Sequence, residues 1–304
     1  MRRTLIGLLL ACGLLVGLAV PAAAHSATDA TDATADETHL PVGGDPVSEP
    51  TAGAVYSCQT SFPTNAPGAQ STGDWMNGDG TFDLTKKPTI DGSLSWDGTF
   101  SISTDGDERV LTGNGLPKET TTGKFPVSSS DDAYQYDRNP NSIQEQRLEI
   151  SIPKDPQVAD EPSCTGMGII GVLKNGVPFF NALDAGGRDA VAYELQDGCE
   201  GHPQQEGQYH YHSVSDCVLD QLDSAKGQSK LIGYALDGFG IYGPRDADGH
   251  ELTSADLDEC HGTTSVVKFN GTKQRMYHYV ATRDYPYTLG CFAGTPTTTG
   301  TGRP

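Results

Sequence analysis

A second long apolar run is missing from this chain of 304 residues. Past the first two dozen residues nothing approaches the ~20 consecutive apolar residues that span a bilayer. No membrane contact is therefore expected once the N-terminal segment is removed. Positive charge is also scarce: 20 Lys and Arg stand against 40 Asp and Glu, a net charge of −20. Phosphate would be repelled, which argues against nucleic acid and anionic membranes as partners. Several enzyme signatures are absent. There is no Gly-x-Ser-x-Gly elbow and no His-Glu-x-x-His helix, so ordinary lipase and zincin readings lack support. There is no Cys-x-x-Cys, which weighs against a thiolate zinc site. Helical periodicity is rare, and 37 Gly with 19 Pro punctuate loops rather than a bundle.

What is present begins with an export signal. Arg2-Arg3, an apolar stretch from Leu5 to Val20, and Pro21-Ala22-Ala23-Ala24 have the three parts of a cleavable signal peptide. Cleavage after Ala24 is expected, rather than a lipoprotein at Cys12 or a twin-arginine route. An extracellular or cell-envelope exterior location follows. Residues 25–52 read as a disordered acidic tether: from His25 to Pro50 there are six acids, no Lys or Arg and almost no large apolar residue. Such a stretch buries too little surface to offset its ordering entropy. Residues 53–294 form the expected folded part and 295–304 a flexible tail. The fold class is mostly β: a single disulfide-stabilised β-rich domain with few short helices.

Cys12 leaves with the signal, and six cysteines remain. An even number in an oxidising compartment reads as three disulfides, for which 15 pairings exist. The preferred set is Cys58–Cys164, Cys199–Cys217 and Cys260–Cys291, the last two closing short local loops.

Strand signals run through residues 53–294. Residues 93–96 and 99–103 alternate around Asp97-Gly98, which predicts a hairpin. Gly168 to Leu173 and Val177 to Phe180 flank Asn175-Gly176, the strongest hairpin signal in the chain. Leu231 to Leu236 and Ser265 to Phe269 are further strands, and Ser254 to Glu259 a short helical turn. Asp246-Ala247-Asp248-Gly249 resembles part of a calcium loop but fails at its first and last positions, so a turn is expected.

Chemistry is expected at the histidines. Tyr209-His210-Tyr211-His212 alternates, so on a strand both imidazoles share one face, about 6.6 Å apart between Cα atoms. Tyr277-His278-Tyr279 repeats the first three letters. If the two strands pair, His278 joins His210 and His212, and three neutral imidazoles suit copper or zinc. His202 and His261 are further possible ligands. Glu194, Asp197 and Asp237 are candidates for an added ligand, a second layer of contacts or a general base. The competing reading is a polar stripe on a solvated strand with the tyrosines filling the core.

Gly201-His202-Pro203, Gly207 to His212, Ile232 to Pro244, Leu257 to Gly262, Tyr277 to Tyr279 and Tyr285 to Phe292 together resemble the YHYH domain proteins. Gly113 to Pro117 and Asn139 to Ile143 fit the same family, so the resemblance covers roughly Gly113 to Gly294. It implies export and supplies a family more than a mechanism. Two positions depart from the pattern. Gly240 stands where proline is expected, and Val280 stands where a second copy of the motif would end in histidine.

Three functions compete at this point. One is a secreted protein binding copper or zinc through the histidine cluster. The second is a metal-dependent extracellular enzyme, hydrolytic or oxidative, with Asp237 or Glu194 as base. The third is a non-catalytic module that binds glycan, protein or a cell-surface partner and holds no metal.

Overall fold

Asn175-Gly176 turns the chain between β1 (Ile169–Leu173) and β2 (Pro178–Phe180), with Gly176 at φ 89° where a side chain would be strained. The structure, a computed structural model, describes residues 35–59, 61–63, 72–223 and 226–298. The expected signal peptide, the tether up to residue 34 and the last six residues lie outside them. The fold is mostly β, with two short α-helices among the described residues, α1 (Ala190–Tyr193) and α2 (Asp216–Leu222).

Six more strands complete the central sheet: β3 (Gly201–Pro203), β4 (Tyr209–Tyr211), β5 (Leu231–Ala235), β6 (Gly240–Tyr242), β7 (Gly262–Phe269) and β8 (Thr272–Val280). Their order across the sheet is β7-β8-β6-β5-β1-β2-β4-β3. Read outward from the centre, the two halves have the same connectivity. In each, a hairpin (β1-β2 or β5-β6) is followed by a second hairpin (β3-β4 or β7-β8). The last strand of each half lies parallel to the second, β4 on β2 and β8 on β6. The halves meet antiparallel, with Gly171 opposite Ala235 and Leu173 opposite Gly233.

Elsewhere the expectations shift. The hairpin expected at residues 93–103 forms one turn later. Phe100–Asp105 pairs with Glu108–Gly113 around Gly106, and Leu148–Pro153 completes a three-stranded sheet. Leu94 instead bridges Thr122, and Gly98 packs directly on the Pro117 carbonyl, where a Cβ would lie 2.5 Å from its oxygen. Residues 35–52, expected as tether, pack on the domain. Leu40–Pro41 pairs with Thr81–Phe82, Leu40 is buried, and the Gly43 amide donates to Asp189. One large apolar side chain and a few well-placed polar bonds outweigh an otherwise thin composition.

The disulfides join Cys58 to Cys164, Cys199 to Cys217 and Cys260 to Cys291, the pairs preferred from spacing. Among the described residues, no helix is long and apolar enough to cross a membrane.

Candidate metal centre

Two tyrosines seat the histidine strand. Tyr209 and Tyr211 are fully buried, and alternation turns His210 and His212 to the opposite face. The Tyr209 hydroxyl donates to both oxygens of Asp197, at 3.0 and 2.8 Å. The same carboxylate accepts the amides of Gly123, Cys199 and Gly201. Asp197 thus ties the start of β3 to β4 and has no oxygen left for a ligand. Antiparallel pairing then sets His202 directly opposite His210, where Cβ atoms approach to about 5 Å.

The result is a buried cluster of His202, His210 and His212, with one ring nitrogen of each within 4.8 Å of the others. The Nδ1 of His210 lies 3.1 Å from the Gln208 carbonyl, and the Nδ1 of His212 lies 2.5 Å from that of Asn181. A carbonyl oxygen only accepts, so each Nδ1 carries the proton and each Nε2 presents a lone pair. Those two Nε2 atoms are 3.1 Å apart. With no proton between them, two lone pairs meet head on. A shared cation relieves this, since two ligands 2.0–2.1 Å from a tetrahedral ion sit about 3.3 Å apart. His202 is buried, and neither of its ring nitrogens has a hydrogen-bond partner. The Phe180 ring stacks on His210 at 3.9 Å and closes one side.

Glu194 adds an oxygen. Its N-terminal neighbour is α1, capped by Asp189, whose carboxylate accepts from the amides of Val191 and Ala192. Glu194 ends that turn and points its Oε2 at the cluster, 3.4 Å from His202 Nε2 and 3.5 Å from His212 Nε2. Burial raises its carboxyl to about 8, with Asp184 and Asp137 pushing the same way. Burial holds His202 and His210 well below the usual imidazole range, and takes His212 down to about 4. The imidazoles are therefore neutral at physiological pH, the form that ligates a metal. Three imidazoles, with the Glu194 carboxyl once it has released its proton, are donors for zinc or copper(II); calcium would ask for more oxygen.

His278 is not in this cluster. Its strand, β8, is separated from β4 by β6, β5, β1 and β2, a distance of about 24 Å at ~4.8 Å per strand. There its Nδ1 donates to the Met276 carbonyl, and its ring meets the Tyr242 ring edge-on. His261 is also elsewhere. Its Nε2 bonds the Thr282 hydroxyl at 2.9 Å, while its Nδ1 is buried without a partner. Asp237, the other candidate base, sits in the β5–β6 turn. It accepts from the Tyr279 hydroxyl and the amides of Phe239 and Gly294. Burial raises its carboxyl to about 6. Repetition of Tyr-His-Tyr suggested one shared site, but the two copies occupy opposite halves of the sheet.

Lys87 escaped sequence reasoning. Its Nζ is buried and donates to the carbonyl of Val191 at 2.5 Å and to the Gln196 side chain. Burial lowers it to about 8, against the attraction of Glu200, Asp189, Glu194 and Asp137. It is a buried cation among the acids behind the cluster. Nothing local in Lys86-Lys87 signals this role.

A second group, Asp246, Asp248 and His250, is partly or fully exposed. Asp246 Oδ1 is occupied by the amides of Asp248 and His250, which closes the expected turn.

No curated protein and no solved structure matches the chain. Residues 149–251 match the family model described as YHYH protein, a segment that includes Glu194, His202, His210 and His212 and stops short of His278. The chain thus carries a YHYH domain over this segment.

Proposed function

We propose that this protein is exported and binds one transition-metal ion, copper or zinc, through His202, His210 and His212 with Glu194 beside them. One observation carries the reading. Two imidazoles held by carbonyls at Nδ1 face each other through Nε2 atoms 3.1 Å apart, next to a third imidazole that makes no hydrogen bond. A solvated polar stripe would leave these groups wet, whereas each of the three histidines is at most 5 % exposed. Burial of partnerless polar groups is costly, and an ion offsets that cost. Three disulfides fit an oxidising compartment, in keeping with export.

The test is metal titration by calorimetry, with elemental analysis, on protein prepared without a polyhistidine tag. Wild type is expected to take up one zinc or copper(II) ion per chain. His202→Ala and His210→Ala should each weaken binding by at least about tenfold, while His278→Ala leaves it unchanged. Folded single variants that bind as wild type does would overturn the reading.

A further inference from the structure

The two halves of the sheet correspond in sequence as well as in connectivity. Ile169 to Ala190 aligns with Leu231 to Leu252 without a gap, with Gly171 on Gly233, Gly176 on Gly238, Asp184 on Asp246 and Gly187 on Gly249. The equivalent groups make equivalent bonds. Asp184 Oδ1 accepts the amides of Gly186 and Arg188, and Asp246 Oδ1 those of Asp248 and His250. Further on, Asp197 accepts from Cys199, Gly201 and the Tyr209 hydroxyl. Asp258 accepts from Cys260, Gly262 and the Tyr277 hydroxyl. Each half then closes a disulfide from that cysteine, Cys199–Cys217 and Cys260–Cys291.

This correspondence assigns a counterpart to every residue of the metal centre. His210 pairs across its hairpin with His202, and His278 pairs in the same way with Thr263. His212 corresponds to Val280, one residue past the repeated Tyr-His-Tyr. Glu194-Leu195, two residues before Asp197 at its nearer end, corresponds to Asp256-Leu257 before Asp258, with one residue fewer between. Phe180, stacked on His210, corresponds to Tyr242, packed on His278. Asp256, Thr263, His278, Val280 and Tyr242 all line one cavity of ≈ 270 Å³. The His278 ring keeps the orientation seen in His210: Nδ1 donates to the carbonyl two residues earlier in both.

We infer that this cavity is a second copy of the metal centre that has lost two of its four ligands, His202 and His212 being replaced by Thr263 and Val280. The inference rests on the proposed function for the nature of the ligand, though not for the correspondence of the two sites. Two lost imidazoles, replaced by the smaller side chains of Thr263 and Val280, explain the hollow at the second copy. They also make the protein a one-ion binder, with the His278 imidazole and the Asp256 carboxylate left of the four donors at the second site. Restoring the missing donors should restore the site.

The experiment uses the full chain with Thr263→His and Val280→His, titrated with zinc and copper(II) by calorimetry, and with circular dichroism as the folding control. The expected result is two ions per chain, the second lost again on adding His278→Ala. The same pair is placed in a His210→Ala, His212→Ala background, where one ion per chain should bind and depend on His278. Val280 is buried, so Thr263→His alone, at a partly exposed position, provides a second variant. With His278 and Asp256 it should bind a second ion at least about tenfold more weakly than the double variant does. A wild type that binds no metal would refute the proposed function alone, because the rebuilt site is read independently in the His210→Ala, His212→Ala background. Folded variants that gain no His278-dependent ion in either background would overturn the inference.

Discussion

Burial, not neighbouring charge, dominates the state of the buried histidines His202, His210, His212, His261 and His278. His261 is the cleanest case: it is fully enclosed, burial is the cause of its shift, and its imidazole falls to about 3. In the unfolded chain it titrates near ~6.5. As pH drops from 6.5 toward 3, the unfolded state binds a proton that the folded state refuses. The neutral His261 therefore contributes stability above the unfolded value that is lost as pH falls through this window. His261→Gln is expected to narrow the stability gap to wild type on acidification. Urea midpoints at pH 7, 5 and 4 read this directly; a gap that widens toward acid would contradict the assignment. Asp237 has the opposite sign. Its carboxyl is raised to about 6, so its contribution is present at low pH and is lost as pH rises from about 4 through 6.

At the scale of elements, the hairpin β3–β4 holds the centre, and its tightest point is Gly201. A Cβ there would lie 2.2 Å from both the Cζ and the Oη of Tyr209. Tyr209 is fully buried and bonded to Asp197, so it cannot move aside cheaply. Gly201→Ala is expected to cost about 1–3 kcal/mol of stability. It should also weaken metal binding by around tenfold, by pulling His202 off its register with His210. Chemical denaturation and calorimetry on the same sample separate the two effects. The helix α1 plays a related part for Glu194. Its cap, Asp189, also receives the Tyr287 hydroxyl and the Gly43 amide. Asp189→Ala removes all three anchors, so the loss should exceed the ~1 kcal/mol of an ordinary cap. A urea midpoint equal to that of wild type would show that the cap is dispensable.

At the scale of the molecule, disulfides and duplicated halves share the work of holding a loop-rich chain. Cys199–Cys217 spans 18 residues that contain β3, β4 and the whole histidine cluster apart from Glu194. Closing a loop of that size stabilises by about 3 kcal/mol in the chain-entropy view. Replacing both cysteines with alanine is expected to lower stability by that order and to weaken metal binding. A variant whose urea midpoint matches wild type would mean the hairpin is held by Asp197 and packing alone.

Local patterns in the chain determined a good deal. Asn175-Gly176 dictates its hairpin because the turn needs positive φ, and Tyr209-His210-Tyr211-His212 dictates a shared face because strands alternate. Cysteine spacing favoured the right bridges, and the acid excess was plain. That His278 stands apart from His210 and His212 was decided only by tertiary structure. Strand order is set by how two four-stranded halves pack, and nothing within Tyr277-His278-Tyr279 says that β8 lies five strands from β4. His202 had a local signal: Gly201-His202-Pro203 lies a short turn, through Gly207, before Tyr209. That turn folds the chain back and sets His202 against His210. The placement of residues 35–52 likewise depended on long-range contacts, with Leu40 finding the core and Gly43 finding Asp189. Composition averages over such a stretch, whereas burial acts on single side chains, and only the folded chain says which ones it reaches.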